Sequence, residues 1–187
     1  MGPTPAAVQP ETVDVKFEDL QKYAGLWRDE KTHFPVRTTL ANGALRVGDN
    51  ALRPLRDGGF QSGPFKYVFN LDKNGKPVLL ERINGSDTVR FIPESEWTPT
   101  PADLTGFAGR WYSDEADANV SIVVENGQAF LTQRPNTRFT LRPIFKDHFV
   151  VERAGVIIWF TRDATGGTVK LHAGASRLRD MPFIRIQ

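Results

Sequence analysis

Three histidines are the first place to look for chemistry in this chain, because imidazole both ligates metals and moves protons near neutral pH. His33, His148 and His172 lie far apart and never occur as H-x-x-x-H or H-E-x-x-H, the spacings that place ligands and a base on one helical face. Metal ligation needs a convergent cluster, so none is expected. No serine begins an S-x-x-K, no G-x-S-x-G elbow occurs, and no glycine-rich loop is built to cradle phosphate. Asp29-Glu30 and Asp114-Glu115 are paired acids at the edge of a strand, which reads as solvated turn acid rather than an acid/base pair. Asp72 and Asp163 sit in glycine-rich turns, where Asp bonds its own backbone. The expectation is a chain that is not an enzyme, with no catalytic residue, no cofactor and no metal site.

The charge balance points the same way. With 24 basic and 22 acidic residues the net charge is +2, too even for an electrostatic nucleic-acid surface. Arg177, Arg179 and Arg185 form a small basic cluster that reads as solvated strand edges. No apolar run approaches the roughly 20 residues of a membrane span. Residues 1–17 carry no secretory-signal pattern and, with Pro3, Pro5 and Pro10, read as an extended, poorly ordered linker or tail. There is no cysteine, which fits either redox compartment.

The elements that would position any site come in two copies. Asp19-Leu20 through Gly25-Leu26-Trp27 returns as Asp103-Leu104 through Gly109-Arg110-Trp111, 84 residues later. Asn42-Gly43 returns as Asn126-Gly127, Leu52-Arg53-Pro54 as Leu141-Arg142-Pro143, and Phe69-x-x-Asp72 as Phe160-x-x-Asp163. The offset grows from 84 at Trp111 to 89 at Leu141, as a loop trimmed near Gly48-Asp49-Asn50 in the first copy would make it. The expected domains are a first β-barrel over 18–93, a connector over 94–101 and a second β-barrel over 102–187. Each opens with a helical turn, capped in the second by Thr100 or Asp103. Short alternating strands follow, such as Val120, Ile122 and Val124 ahead of the hairpin signal Asn126-Gly127, with a loop at Pro135-Asn136. About eight strands per copy leave no room for crossovers, so the predicted fold is all-β, two tandem eight-stranded antiparallel up-and-down barrels.

Strands of about 5 to 6 residues make a low barrel whose interior side chains can fill. A packed core is therefore expected rather than a ligand pocket. Gly25-x-Trp27 and Gly109-x-Trp111 suit a Trp plugging one barrel end beneath the helical turn, with Arg185 placed to stack on Trp111. Ile158 and Phe160 take the inward parity of their strand, which sends Ile157 and Trp159 to the outer face. Together with Trp97 of the connector, these two are the candidate interface residues, either for contact between the two barrels or for another domain.

The stretch from Trp97-Thr98-Pro99 through Phe107-Ala108-Gly109-Arg110-Trp111-Tyr112-Ser113-Asp114-Glu115, with Leu141-Arg142-Pro143, Phe160-Thr161-Arg162-Asp163 and Arg177-Leu178-Arg179-Asp180-Met181-Pro182-Phe183, resembles a recurrent C-terminal module. That module follows the catalytic domain of bacterial serine hydrolases of the beta-lactamase / penicillin-binding-protein class. In the D-aminopeptidase relatives two such modules follow one another, each a lipocalin-like barrel. The resemblance implies a non-catalytic accessory region that packs on a hydrolase domain in cis or trans, as scaffold and access control. It also implies a periplasmic or secreted setting. The alternative is a free-standing lipocalin-like binding protein for a small hydrophobic or peptide ligand.

Overall fold

The computed structural model describes residues 11–133, 137–175 and 178–186, apart from the side chains of Leu178 and Arg179. Two compact units divide the chain. The first comprises the described residues through Glu30 together with Val36–Pro93, the second Lys31–Pro35 together with the chain from Glu94 onward. The all-β architecture expected from the strand spacing is what forms, once in each unit.

In the first unit, helix α1 (Phe17–Leu20) runs into a 3-10 turn at Gln21–Tyr23. The strands are β1 (Gly25–Asp29), β2 (Pro35–Ala41), β3 (Ala44–Val47), β4 (Asn50–Ala51), β5 (Arg53–Pro54), β6 (Phe60–Ser62), β7 (Phe65–Leu71), β8 (Pro77–Asn84) and β9 (Asp87–Glu94). They form one sheet in the order β4-β3-β2-β1-β9-β8-β7-β6-β5. Its two end strands are neighbours in the chain, separated by Leu52 alone. The Leu52 amide still donates to Leu45 O at 2.8 Å, continuing the ladder to β3. One residue on, Arg53 faces Gln61 of β6. The segment 50–54 is thus one stretch of chain that changes partner at Leu52, and the nine strands make a nearly closed barrel whose two end strands are consecutive in the sequence. Alongside it, Val13 N–H donates to Pro54 O at 3.0 Å and Arg56 N–H to Glu11 O at 3.1 Å. Residues 11–13 of the N-terminal stretch are therefore paired, and the helical turn already begins at Phe17.

The second unit contains α2 (Pro101–Phe107), β10 (Gly109–Ser113), β11 (Ala118–Glu125), β12 (Gln128–Gln133), β13 (Thr137–Phe145), β14 (His148–Val151), β15 (Val156–Arg162), β16 (Thr168–Ala175) and β17 (Leu178–Ile186). These strands form a closed barrel in chain order, sealed where Trp111 of β10 faces Arg185 of β17. The cap of α2 is Thr100: its hydroxyl accepts the Asp103 amide at 3.2 Å, and the Asp103 carboxylate accepts the Thr100 amide at 2.9 Å. This reciprocal arrangement satisfies two amides that the first turn leaves unpaired. The loop expected at Pro135-Asn136 lies outside the described residues.

Both Asn-Gly pairs turn a hairpin with positive φ at both residues, 52° and 75° at Asn42-Gly43 and 51° and 74° at Asn126-Gly127. That is the two-residue turn whose twist matches the flanking strands. Alternation then drives one face of each strand inward. Leu20, Trp27, Leu45, Leu52, Phe60 and Leu80 belong to one buried cluster, and Phe107, Trp111, Leu141, Phe149, Ile158 and Phe160 to the other. The barrel interiors are filled by side chains.

Candidate functional site

Strands β14, β15 and β16 run side by side, and their register sets His148 opposite Trp159 and Trp159 opposite His172. Ile158 and Phe160 point into the inner cluster, and Ile157 and Trp159 stand on the other face of β15. That face is not open: Ile157 is 0% and Trp159 5% exposed. Part of the cover over Trp159 is a stack of histidines. The Trp159 ring lies 4.1 Å from that of His33 at an interplanar angle of 11°, and 5.2 Å from that of His172 at 7°. His33 also stacks on His148, at 5.1 Å and 15°. The three histidines that looked unrelated along the chain converge on one indole. His33 arrives from the turn between β1 and β2, where the backbone holds it at a φ of 61°.

Hydrogen bonds fix how the protons sit. His148 Nδ1 is 2.7 Å from the carbonyl oxygen of Lys146, which can only accept, so Nδ1 carries a proton. Its Nε2 lies 2.9 Å from His33 Nδ1, and one proton serves that contact. His172 Nδ1 donates to Asp180 Oδ1 at 2.8 Å, and its Nε2 is buried without a partner. Among the described residues no three His, Cys, Asp or Glu side chains are grouped so as to hold a metal ion. The missed signal was cross-strand register, which spacing along one strand does not carry.

The residues of the two Gly-x-Trp motifs form a second cluster in each unit. Trp111 Nε1 donates to Phe107 O at 3.2 Å, and the Arg185 guanidinium lies over the indole at 4.7 Å while donating to Gly106 O at 2.6 Å. In the first unit, Trp27 Nε1 donates instead to Thr38 Oγ1 at 2.9 Å, whose hydroxyl passes the bond on to Tyr23 O at 2.5 Å. Tyr23 and Phe107 are matching positions, and Thr38 matches Ile122. The same tie between indole and helical turn is made directly in one copy and through a hydroxyl in the other. Trp97 packs edge-on against Phe107 and Phe149, at 6.4 and 5.7 Å between ring centroids, partly buried against the second core. Of the basic cluster, Arg177 and the Arg179 side chain lie outside the described residues.

Near Trp97, Arg162 holds Asp147 through two bonds, at 2.9 and 2.7 Å, and stands over the Phe107 ring at 5.1 Å. The same guanidinium is 3.9 Å from Asp103. Bonds from the Thr100 hydroxyl and amide, reinforced by Arg162, hold the Asp103 carboxyl below its ordinary value. The turn aspartates bond local backbone: Asp72 Oδ1 accepts from Asn74 and Lys76 at 2.8 and 2.9 Å, and Asp163 Oδ1 from Thr165 and Gly167, each at 2.9 Å.

The first unit also carries an open groove of about 650 Å³ where the strand changes partner at Leu52. Arg46, Asp49, Asn50, Arg53, Gln61 and Ser62 line it. Arg46 and Arg53 alternate with the buried Leu45 and Leu52, so the groove is on the outer face of the wall.

No family model and no curated protein matches the chain.

Proposed function

We propose that this chain is a non-catalytic accessory region of a bacterial serine hydrolase of the beta-lactamase and D-aminopeptidase kind, serving as scaffold and controlling access to a neighbouring active site. The motif resemblance supports the hydrolase, and the packing of the barrels supports a role that is not ligand carriage. The observation that carries it is the filling of both barrel interiors by buried apolar side chains, among them a tryptophan in each that is tied by hydrogen bonds to the opening helical turn. A lipocalin-like carrier would keep its interior open for a ligand of several hundred Å³. With the interiors packed, outer faces remain to meet a partner. Trp159 itself is roofed by His33, so a partner on that side would meet histidine edges before the indole.

The test is the gene. A domain carrying S-x-x-K, in frame upstream of Met1 or encoded beside it, supports the proposal. A gene context with no such domain overturns it.

A further inference from the structure

The two units solve one corner of the barrel differently, and the difference leaves a binding site. In the second unit, position 130 is Phe130, facing Val123. Its ring is covered by the Arg138 guanidinium at 3.7 Å, and Arg138 is itself paired to Glu125 at 2.7 Å. Arg142, opposite Val150, has Glu152 at 3.9 Å. Both arginines of that wall have a carboxylate. In the first unit the matching register is Arg46 opposite Thr39 and Arg53 opposite Gln61. The place of Phe130 is taken by Arg46, that of Glu125 by Ala41 and that of Glu152 by Gly63. The five residues missing between Gly43 and Leu52 are those that in the second copy extend the chain through Arg138.

The result is a groove with two guanidinium groups and no carboxylate paired to either among the described residues. Arg46 gives a hydrogen bond to the backbone carbonyl of Asp49, which positions it. The Arg53 side chain has no hydrogen-bond or ion-pair partner among the described residues. Asp49 also lines the groove, leaving the lining residues an excess of one positive charge. Main chain is exposed there as well. Asn50 and Ala51 pair with β3 on one side only, and Ser62 pairs with Phe65 on one side only. The two unpaired edges border the same opening.

We infer that this groove binds an extended peptide bearing carboxylate side chains. Arginine forks take carboxylates through paired N–H bonds, and free strand edges supply main-chain bonds to an added strand. At about 650 Å³ the groove is within the size range of ligand sites. The inference stands whether or not a hydrolase domain accompanies the chain.

The test is an NMR titration of the full, isotope-labelled chain with the blocked pentapeptide Ac-Val-Glu-Val-Glu-Val-NH2. Saturable shifts are expected at Asn50, Ala51, Ser62 and Gly63, weakening with added salt. The Gln analogue of the peptide is expected to bind at least tenfold more weakly, as is the wild-type peptide to Arg53→Gln. Gln61→Glu, which sets a carboxylate opposite Arg53 without removing any arginine, is expected to block binding to the same degree. An unchanged Trp27 indole resonance in both variants reports an intact fold. Equal binding of the Gln analogue, shifts confined to other residues, or the same shifts from sodium acetate at equal carboxylate concentration would each overturn the inference, the last by reducing the groove to a simple anion site.

Discussion

His33 and His148 share one proton: Nδ1 of the first lies 2.9 Å from Nε2 of the second, and His148 Nδ1 is already committed to the Lys146 carbonyl. His33→Phe keeps a ring over Trp159 but removes this bond, so amide protection at Thr32 and Phe34 is expected to fall by roughly the worth of one hydrogen bond, about 0.5–1.5 kcal/mol. Unchanged hydrogen exchange at these two amides would show that the bond does not hold the segment 31–35 in place.

Thr38 carries a hydrogen-bond relay through a buried hydroxyl. Thr38→Val keeps the shape and strands both the Trp27 indole N–H and the Tyr23 carbonyl. A loss of about 1–3 kcal/mol is expected, the range for buried groups left unpaired, read as a lower urea midpoint. Ile122→Val, at the matching position of the second unit, breaks no such bond and should lose only the roughly 0.5–1.5 kcal/mol of a methylene deletion.

The two Gly-x-Trp motifs need their glycines for different reasons. Gly109 has a φ of 136°, and an added Cβ would sit 3.8 Å from the Arg185 guanidinium. Gly25 is not held at positive φ and has room for a methyl group 3.6 Å from the Trp27 indole nitrogen. Gly109→Ala is expected to destabilise by about 1–3 kcal/mol, the usual strain of a side chain in a glycine-only region, and Gly25→Ala by much less. Thermal denaturation of the two variants compares them directly; equal losses would show that backbone conformation is not the reason.

Asp103 ties the cap of α2 to acid stability. Its folded carboxyl titrates below the ordinary value, first because of the Thr100 hydroxyl, then the Thr100 amide and the Arg162 charge. A depressed acid stabilises the fold above the unfolded value of about 3.9 and ceases to do so as pH falls through the lower folded value. Asp103→Asn should therefore be less stable than the wild type at neutral pH, by up to about 1 kcal/mol as for other caps. The gap should close in strong acid. Chemical denaturation at a series of pH values would show it.

Much of the architecture was legible because it is local. The alternation around Ile158 and Phe160 places those residues in the core, and Ile157 and Trp159 do lie outside the inner cluster. Two things about that face were not legible. Its burial depends on what covers it, and the convergence of the histidines depends on the register of three strands and on where one turn lands. Neither is encoded in spacing along a single segment. The change of partner at Leu52 was hidden for a related reason: Leu52-Arg53-Pro54 and Leu141-Arg142-Pro143 are the same three residues, yet β13 is a continuous nine-residue strand and the first copy is split. The growing offset did mark the neighbourhood of Asp49, and the groove opens there.

The closing strand of the first barrel has a mechanical consequence. Around most of that wall, neighbouring strands are joined by rows of hydrogen bonds that must break together. At Leu52 continuity passes along the covalent chain, with one ladder ending as the other begins. A wall joined in this way can part at its seam without surrendering a full row of bonds. Exchange of strand amides in this barrel should therefore start beside the seam, at Asn50, Ala51 and Ser62, while the sealed neighbour opens only as a whole.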